Sequence, residues 1–130
     1  MDVLLDATVV IDLLRHRPAT LARLRGLHAA GDRVWTCAVV VDEVVRGLRP
    51  KEVEAARLLL FGLREAPLGT TAGWLAGEWR REGAKRGRIL AQSDMLIAAA
   101  ASGIGAMVAT GNPKDFPTSK VEIDHWPVNE

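Results

Sequence analysis

Apolar positions along this chain come in two patterns: short unbroken runs and longer stretches with helical spacing. Residues 2–6, "DVLLD", form a short run rich in Val and Leu, as in a strand buried on both faces. Thr8 then suits the N-cap of a short helix reaching Arg15. Pro18 suits a helix start, and Leu21, Leu24, Leu27 and His28 give a periodic face that ends at Gly31. "RVWTC" (33–37) predicts a second strand. The valines of residues 39–48 favour strand by propensity. Their spacing decides for helix, because Val40, Val41, Val44, Val45 and Leu48 share one face.

Pro50 opens a further helix with apolar Val53, Ala56, Leu59, Leu60 and Leu63. "EAPLG" (65–69) predicts a third, short strand. Thr70 or Thr71 caps a helix carrying Trp74, Leu75 and Trp79, which is expected to lose order around Gly83 and Gly87. Ser93 caps the helix "DMLIAAAAS", whose alanines allow close packing against a sheet, and Gly103 and Gly105 end it. "AMVAT" (106–110) and "VEID" (121–124) supply the last strands. This alternation predicts an α/β fold with a mostly parallel central sheet flanked by helices. The 130 residues suit a single domain, 1–130. Ligand sites in such sheets lie at the carboxyl ends of strands, near a topological switch point. Asp6 ends the first strand, and Asn112 and Asp115 lie just past the strand at 106–110.

Composition narrows the classes. Hydrophobic residues are 48% and charged residues 25%, values of an ordinary globular chain. No apolar run approaches the ~18 residues of a membrane span. The first residues lack the basic region of a signal peptide, so the expectation is a cytoplasmic protein with no membrane partner. The single cysteine, Cys37, excludes an internal disulfide and reads as a small core residue. His16, His28 and His125 are scattered, which argues against zinc. A net charge of +1 does not by itself predict a nucleic-acid partner. Its distribution is more informative: Arg80, Arg81, Lys85, Arg86 and Arg88 crowd one stretch opposed by Glu82. Alone that stretch is a solvated helix end; beside an active site it becomes a surface for phosphates.

Four carboxylates occupy positions that packing alone would not choose. Asp6 ends an apolar strand, Glu43 sits at the margin of the valine face, Asp94 opens the alanine-rich helix, and Asp115 lies in "TGNPKDF". Each has a local explanation: a cap, an ion pair with Arg46, the helix dipole, and an Asx-turn, respectively. The fold changes the weighing, because strand ends and helix starts meet at one edge of an α/β sheet. Converged carboxylates repel and need a counter-charge, and oxygen-only donors suit Mg²⁺ or Mn²⁺. Such an ion polarises a phosphoryl oxygen and supplies a hydroxide nucleophile. With a phosphate-contacting patch at residues 80–88, this points to a phosphodiesterase acting on nucleic acid.

The segments "LLDATVVIDLL", "VVVDEVVRGL", "SDMLIAAAA" and "VATGNPKDF" together resemble the PIN domain, and within it the VapC ribonuclease toxins of type II toxin–antitoxin pairs. The resemblance covers nearly the whole chain, in order. It implies a metal-dependent endoribonuclease with Asp6, Glu43, Asp94 and Asp115 as the catalytic and metal-binding acids. Asp6 and Asp94 would hold the principal ion, Glu43 would orient water or act as base, and Asp115 would complete the charge. Thr8 and Thr110 match supporting hydroxyls, and Asn112 stands where some members carry an acid. Asp12 is assigned to a pair with Arg15. The resemblance also implies an RNA substrate, a cognate VapB-type antitoxin and a homodimer; the consecutive Leu58, Leu59, Leu60 and Phe61 exceed what one buried face needs. Two other readings stay open: a PIN-like module that binds RNA without cutting it, and a DNA-directed nuclease of the same fold. Absence of G-x4-G-K-[ST] disfavours a P-loop nucleotide binder.

Overall fold

A computed structural model describes residues 1–117 and 119–130. Five strands form one sheet: β1 (Asp2–Leu5), β2 (Arg33–Thr36), β3 (Arg64–Glu65), β4 (Met107–Thr110) and β5 (Ile123–His125). Their spatial order is β3-β2-β1-β4-β5, and every pairing is parallel. Among the described residues six α-helices flank it, α1 (Ala7–Leu14), α2 (Pro18–Ala29), α3 (Ala38–Arg46), α4 (Val53–Gly62), α5 (Thr70–Lys85) and α6 (Gln92–Gly103), with short 3-10 turns at Pro50–Glu52 and Pro113–Asp115. The α/β class and the parallel sheet expected from the sequence are what is observed.

β1 lies at the centre because it is the most apolar strand. Val3, Leu4 and Leu5 are all buried, as parallel strands covered on both faces require. The chain leaves β1 toward β2 on one side and returns to β4 on the other, so the switch point falls between the carboxyl ends of β1 and β4. The Asp6 amide donates to the Ala109 carbonyl at 2.9 Å, stitching the two ends together. α6 is buried almost all round, with Met95 and Ile97 to Ala101 at 1% exposure or less. Its alanines let it pack closely between α5 and the sheet.

Several boundaries differ from expectation. Asp6, not Thr8, is the N-cap residue of α1, and Ala91, not Ser93, precedes α6. Both helices start at the first residue that can turn out of an extended segment, without a side-chain cap. β3 is confined to Arg64–Glu65, ending ahead of the Pro67 that cannot donate to the ladder. β5 begins two residues later than expected, in register with Val108. α5 runs through Gly83 to Lys85 instead of fraying there. Tertiary packing explains this: a Cβ on Gly83 would stand 3.0 Å from the Arg88 carbonyl oxygen and from Leu90, so the glycine admits the returning chain. Val45 is 54% exposed, because the buried face of α3 narrows to Val40 and Val44. Asp12 does not pair with Arg15; it is buried and its carboxylate accepts the Asn129 amide at 2.8 Å.

Candidate active site

The switch point is built around Asp6. Its side chain is buried, and one carboxylate oxygen accepts two hydroxyls: Thr8 at 3.1 Å and Thr110 at 2.8 Å. Each hydroxyl is itself fixed. The Gly111 amide donates to Thr8 Oγ1 at 2.9 Å, and the Asn112 amide donates to Thr110 Oγ1 at 3.0 Å. Gly111 is required here, since a Cβ would run into Val128 and approach Trp126. Thr8 and Thr110 therefore orient Asp6 from opposite sides, leaving its second oxygen outside this network. Asn112 contributes through its backbone, and its exposed side chain is no part of these hydrogen bonds.

Around Asp6 stand the other three acids, each on a different element. Glu43 lies on the second turn of α3, Asp94 on the first turn of α6, and Asp115 on the short 3-10 turn Pro113–Asp115 after β4. They are close enough to sense one another. Burial first, then the charges of Asp6, Asp115 and Glu43, push the Asp94 carboxyl up to about 6. Glu43 is pushed up as well, by burial and then by Asp6 and Asp42, with Arg46 opposing. Cys37, buried at the start of α3, is raised chiefly by burial, with smaller contributions from Asp6 and Glu43. It is a core residue bordering the acids.

Among the described residues, none of the four acids makes an ion pair. Their donor set is oxygen only, the chemistry that fits a hard divalent cation. As the side chains are oriented, no three described Asp, Glu, His or Cys residues stand close enough together to hold one ion. The fit is therefore one of donor type and unrelieved charge, and closing on an ion requires side-chain rotation.

An open cleft of about 350 Å³ leads to Asp94 and Asp115, and its walls include Arg88, Ile89 and Lys114. Of the five basic residues expected to contact phosphate, Arg88 alone lines this cleft. Arg80, Arg81, Lys85 and Arg86 are exposed on the end of α5 and the turn after it, and Arg81 borders a separate groove beside Trp74. Lys114 is the cation that sequence reasoning passed over. Its signal was adjacency to Asp115, which becomes telling only once the loop is known to face α6.

The PIN domain family profile matches residues 3–118. The chain belongs to the PIN domain family. Within that family it is similar to ribonuclease VapC19 of Mycobacterium tuberculosis, at 27% identity over 114 residues, 88% of this chain and 91% of that protein. Among solved structures it is similar to DNA-bound VapBC from Salmonella typhimurium, with a TM-score of 0.83, 22% identity, and 97% and 98% of the two chains covered. It is also similar to VapBC-1 from nontypeable Haemophilus influenzae, with a TM-score of 0.80, 23% identity, and 97% and 98% covered. FitAcB from Neisseria gonorrhoeae shares 26% identity at a TM-score of 0.73, with 93% and 95% covered. The PIN assignment expected from the motifs is thus correct. Among the described residues no helix is long and apolar enough to cross a membrane.

Proposed function

We propose that this chain is a single PIN domain acting as a metal-dependent endoribonuclease of the VapC type, the toxin of a toxin–antitoxin pair. One observation supports the reading: Asp6, Glu43, Asp94 and Asp115, on four separate elements, lie near enough for the other three to raise the Asp94 carboxyl, and among the described residues none of them is ion-paired. Burial and then neighbouring acids raise Asp94 and Glu43, the kind of perturbation that accompanies carboxylates kept for chemistry. The similarity to a ribonuclease toxin over most of both chains supports the same reading.

Asp6, Glu43, Asp94 and Asp115 would hold Mg²⁺ or Mn²⁺, which supplies polarisation of the scissile phosphate and a nucleophile at neutral pH. Thr8 and Thr110 keep the Asp6 carboxylate in one orientation. Glu43, raised by burial and then by Asp6, would orient the attacking water or act as base. Arg88 and Lys114 hold the substrate's phosphates at the mouth of the cleft. The partner is a VapB-type antitoxin, and the exposed Leu58 and Phe61 on α4 offer it, or a second copy of the chain, an apolar surface.

The test is cleavage of a mixed cellular RNA pool by purified protein with Mg²⁺ or Mn²⁺, beside Asp94→Asn. Discrete metal-dependent products from the wild type alone are expected. RNA binding without cleavage by either protein would instead favour a binding module, and cleavage of DNA in preference to RNA would favour the DNA-directed nuclease.

A further inference from the structure

A second concave surface lies where the end of α1, the start of α2 and the start of α4 meet. It is lined by Arg15, His16, Arg17, Arg49, Lys51 and Glu52. Glu52, the one acid lining it among the described residues, is already engaged. Its Oε1 accepts the Arg49 amide at 2.8 Å, and its Oε2 lies 3.7 Å from Arg15 Nε. The Nε atoms of Arg15 and Arg17 are both buried and make no hydrogen bond among the described residues. Arg15 Nε faces the Glu52 carboxylate, whereas Arg17 Nε has no acceptor among the described residues, a costly state that an oxyanion relieves.

The backbone is bent to bring these groups together. His16 adopts a left-handed conformation at φ 57, uncommon for a residue other than glycine. The turn is held by the His16 amide on the Leu13 carbonyl at 3.1 Å and the Arg17 amide on the Asp12 carbonyl at 3.0 Å. It sets three consecutive basic side chains around one cleft. These two bonds and the left-handed residue are the usual closure of a helix C-terminus. The cleft and Asp6 stand at opposite ends of α1. α1 spans the distance between them, roughly 12 Å for eight residues.

We infer that this cleft is a phosphate-binding exosite that holds the RNA strand several nucleotides away from the cut, an inference that rests on the nuclease reading. Excess cationic donors with a preoccupied acid recognise phosphodiester oxygens without reading bases. At about 3.4 Å per stacked nucleotide, roughly four nucleotides separate the two sites, so only longer strands engage both.

The test uses Asp94→Asn protein, so that RNA is bound and not cut, and the exposed pair Arg49→Gln/Lys51→Gln added to it. Fluorescence anisotropy measures binding of labelled single strands of about 20 and about four nucleotides over a salt series. The longer strand is expected to bind more tightly, and the double substitution to reduce that preference roughly tenfold. The slope of log affinity on log salt should fall by about 1.4, as loss of two single-strand phosphate contacts requires. The thermal midpoint reports that the fold is unchanged. Equal preference and equal slope in the two proteins overturn the exosite. So does unchanged RNA binding combined with lost binding of a Glu-rich peptide, which would assign the cleft to an acidic protein partner. Cleavage by the Asp94 protein without either substitution is scored separately. If it fails while the cleft still governs RNA binding, the nuclease reading falls and the exosite stands.

Discussion

Two aspartates at opposite edges of the sheet, Asp2 on β1 and Asp94 on α6, have opposite electrostatic surroundings. Asp2 accepts Arg33 Nε at 2.6 Å, Arg33 Nη2 at 2.8 Å and Trp35 Nε1 at 2.9 Å. These bonds, Arg33 first, hold its carboxyl down at about 2. Asp94, at the other edge of the sheet, is raised by burial and then by its acidic neighbours, and sits at about 6. Because its folded value lies above the unfolded value of 3.8, the folded state binds that proton more tightly. Stability without metal therefore falls as pH rises from about 4 to about 6, and the full cost is present above that. Asp94→Asn should stabilise the metal-free protein at pH 7.5 by about 1–2 kcal/mol, discounted for partial exposure, and by nothing near pH 3.5. Urea melts at the two pH values check this, and equal effects at both would show that the ionised Asp94 carboxylate is not the source of the cost. Thr110→Val keeps shape and removes a donor to the buried Asp6 carboxylate. It should cost about 1–3 kcal/mol of stability and lower the cleavage rate more than it raises KM, measured by melts and steady-state kinetics.

At the scale of elements, the candidate site depends on the corner between α5 and α6. That corner carries Arg88 toward Asp94 and Asp115. It turns tightly because the Arg88 amide donates to the Gly83 carbonyl at 2.8 Å, with Gly87 at φ 74. Helix propensity alone predicts that Gly83→Ala stabilises α5 by about 1 kcal/mol. The contacts with the Arg88 carbonyl and Leu90 predict the reverse, because backbone cannot yield as a side-chain end does. A net loss of about 1–2 kcal/mol is expected, with weaker RNA binding as Arg88 shifts. Thermal melts and anisotropy together check it, and a stabilised variant would show that the corner yields freely.

At the scale of the whole molecule, the chain carries more apolar surface than its core uses. Phe61 is 82% exposed and Leu58 70% exposed on α4, beside a groove that Val41 and Leu63 help to line. Removing such residues should not harm the isolated fold. Leu58→Ser/Phe61→Ser is expected to leave the thermal midpoint within the range of ordinary surface changes. It should weaken self-association or antitoxin capture by at least roughly tenfold, as loss of a central apolar anchor does. Sedimentation of the protein alone and coexpressed with its antitoxin measures both, and no change in either would leave the patch without a partner role.

The sequence by itself determined the strand and helix order, the parallel sheet and the family. Those follow from local periodicity and from the motifs around Asp6, Glu43, Asp94 and Thr110, which are carried in short contiguous stretches. It also marked Asp6, since a carboxylate at the end of an apolar strand is anomalous wherever the rest of the chain lies; Glu43, Asp94 and Asp115 stood out only when taken together with it. Tertiary structure decided what depends on distant segments meeting. Only the β1–β4 pairing shows that Thr8 and Thr110 grip one Asp6 oxygen. Only the approach of Asn129 explains the buried Asp12, and only the corner at Gly83 explains why α5 continues through a glycine. Of the basic stretch, the fold admits Arg88 to the cleft and adds Lys114, while the turn at His16 gathers a second set of cations. Charge runs read along a chain show what is solvated; which charges share one cleft is set by contacts between residues far apart in sequence.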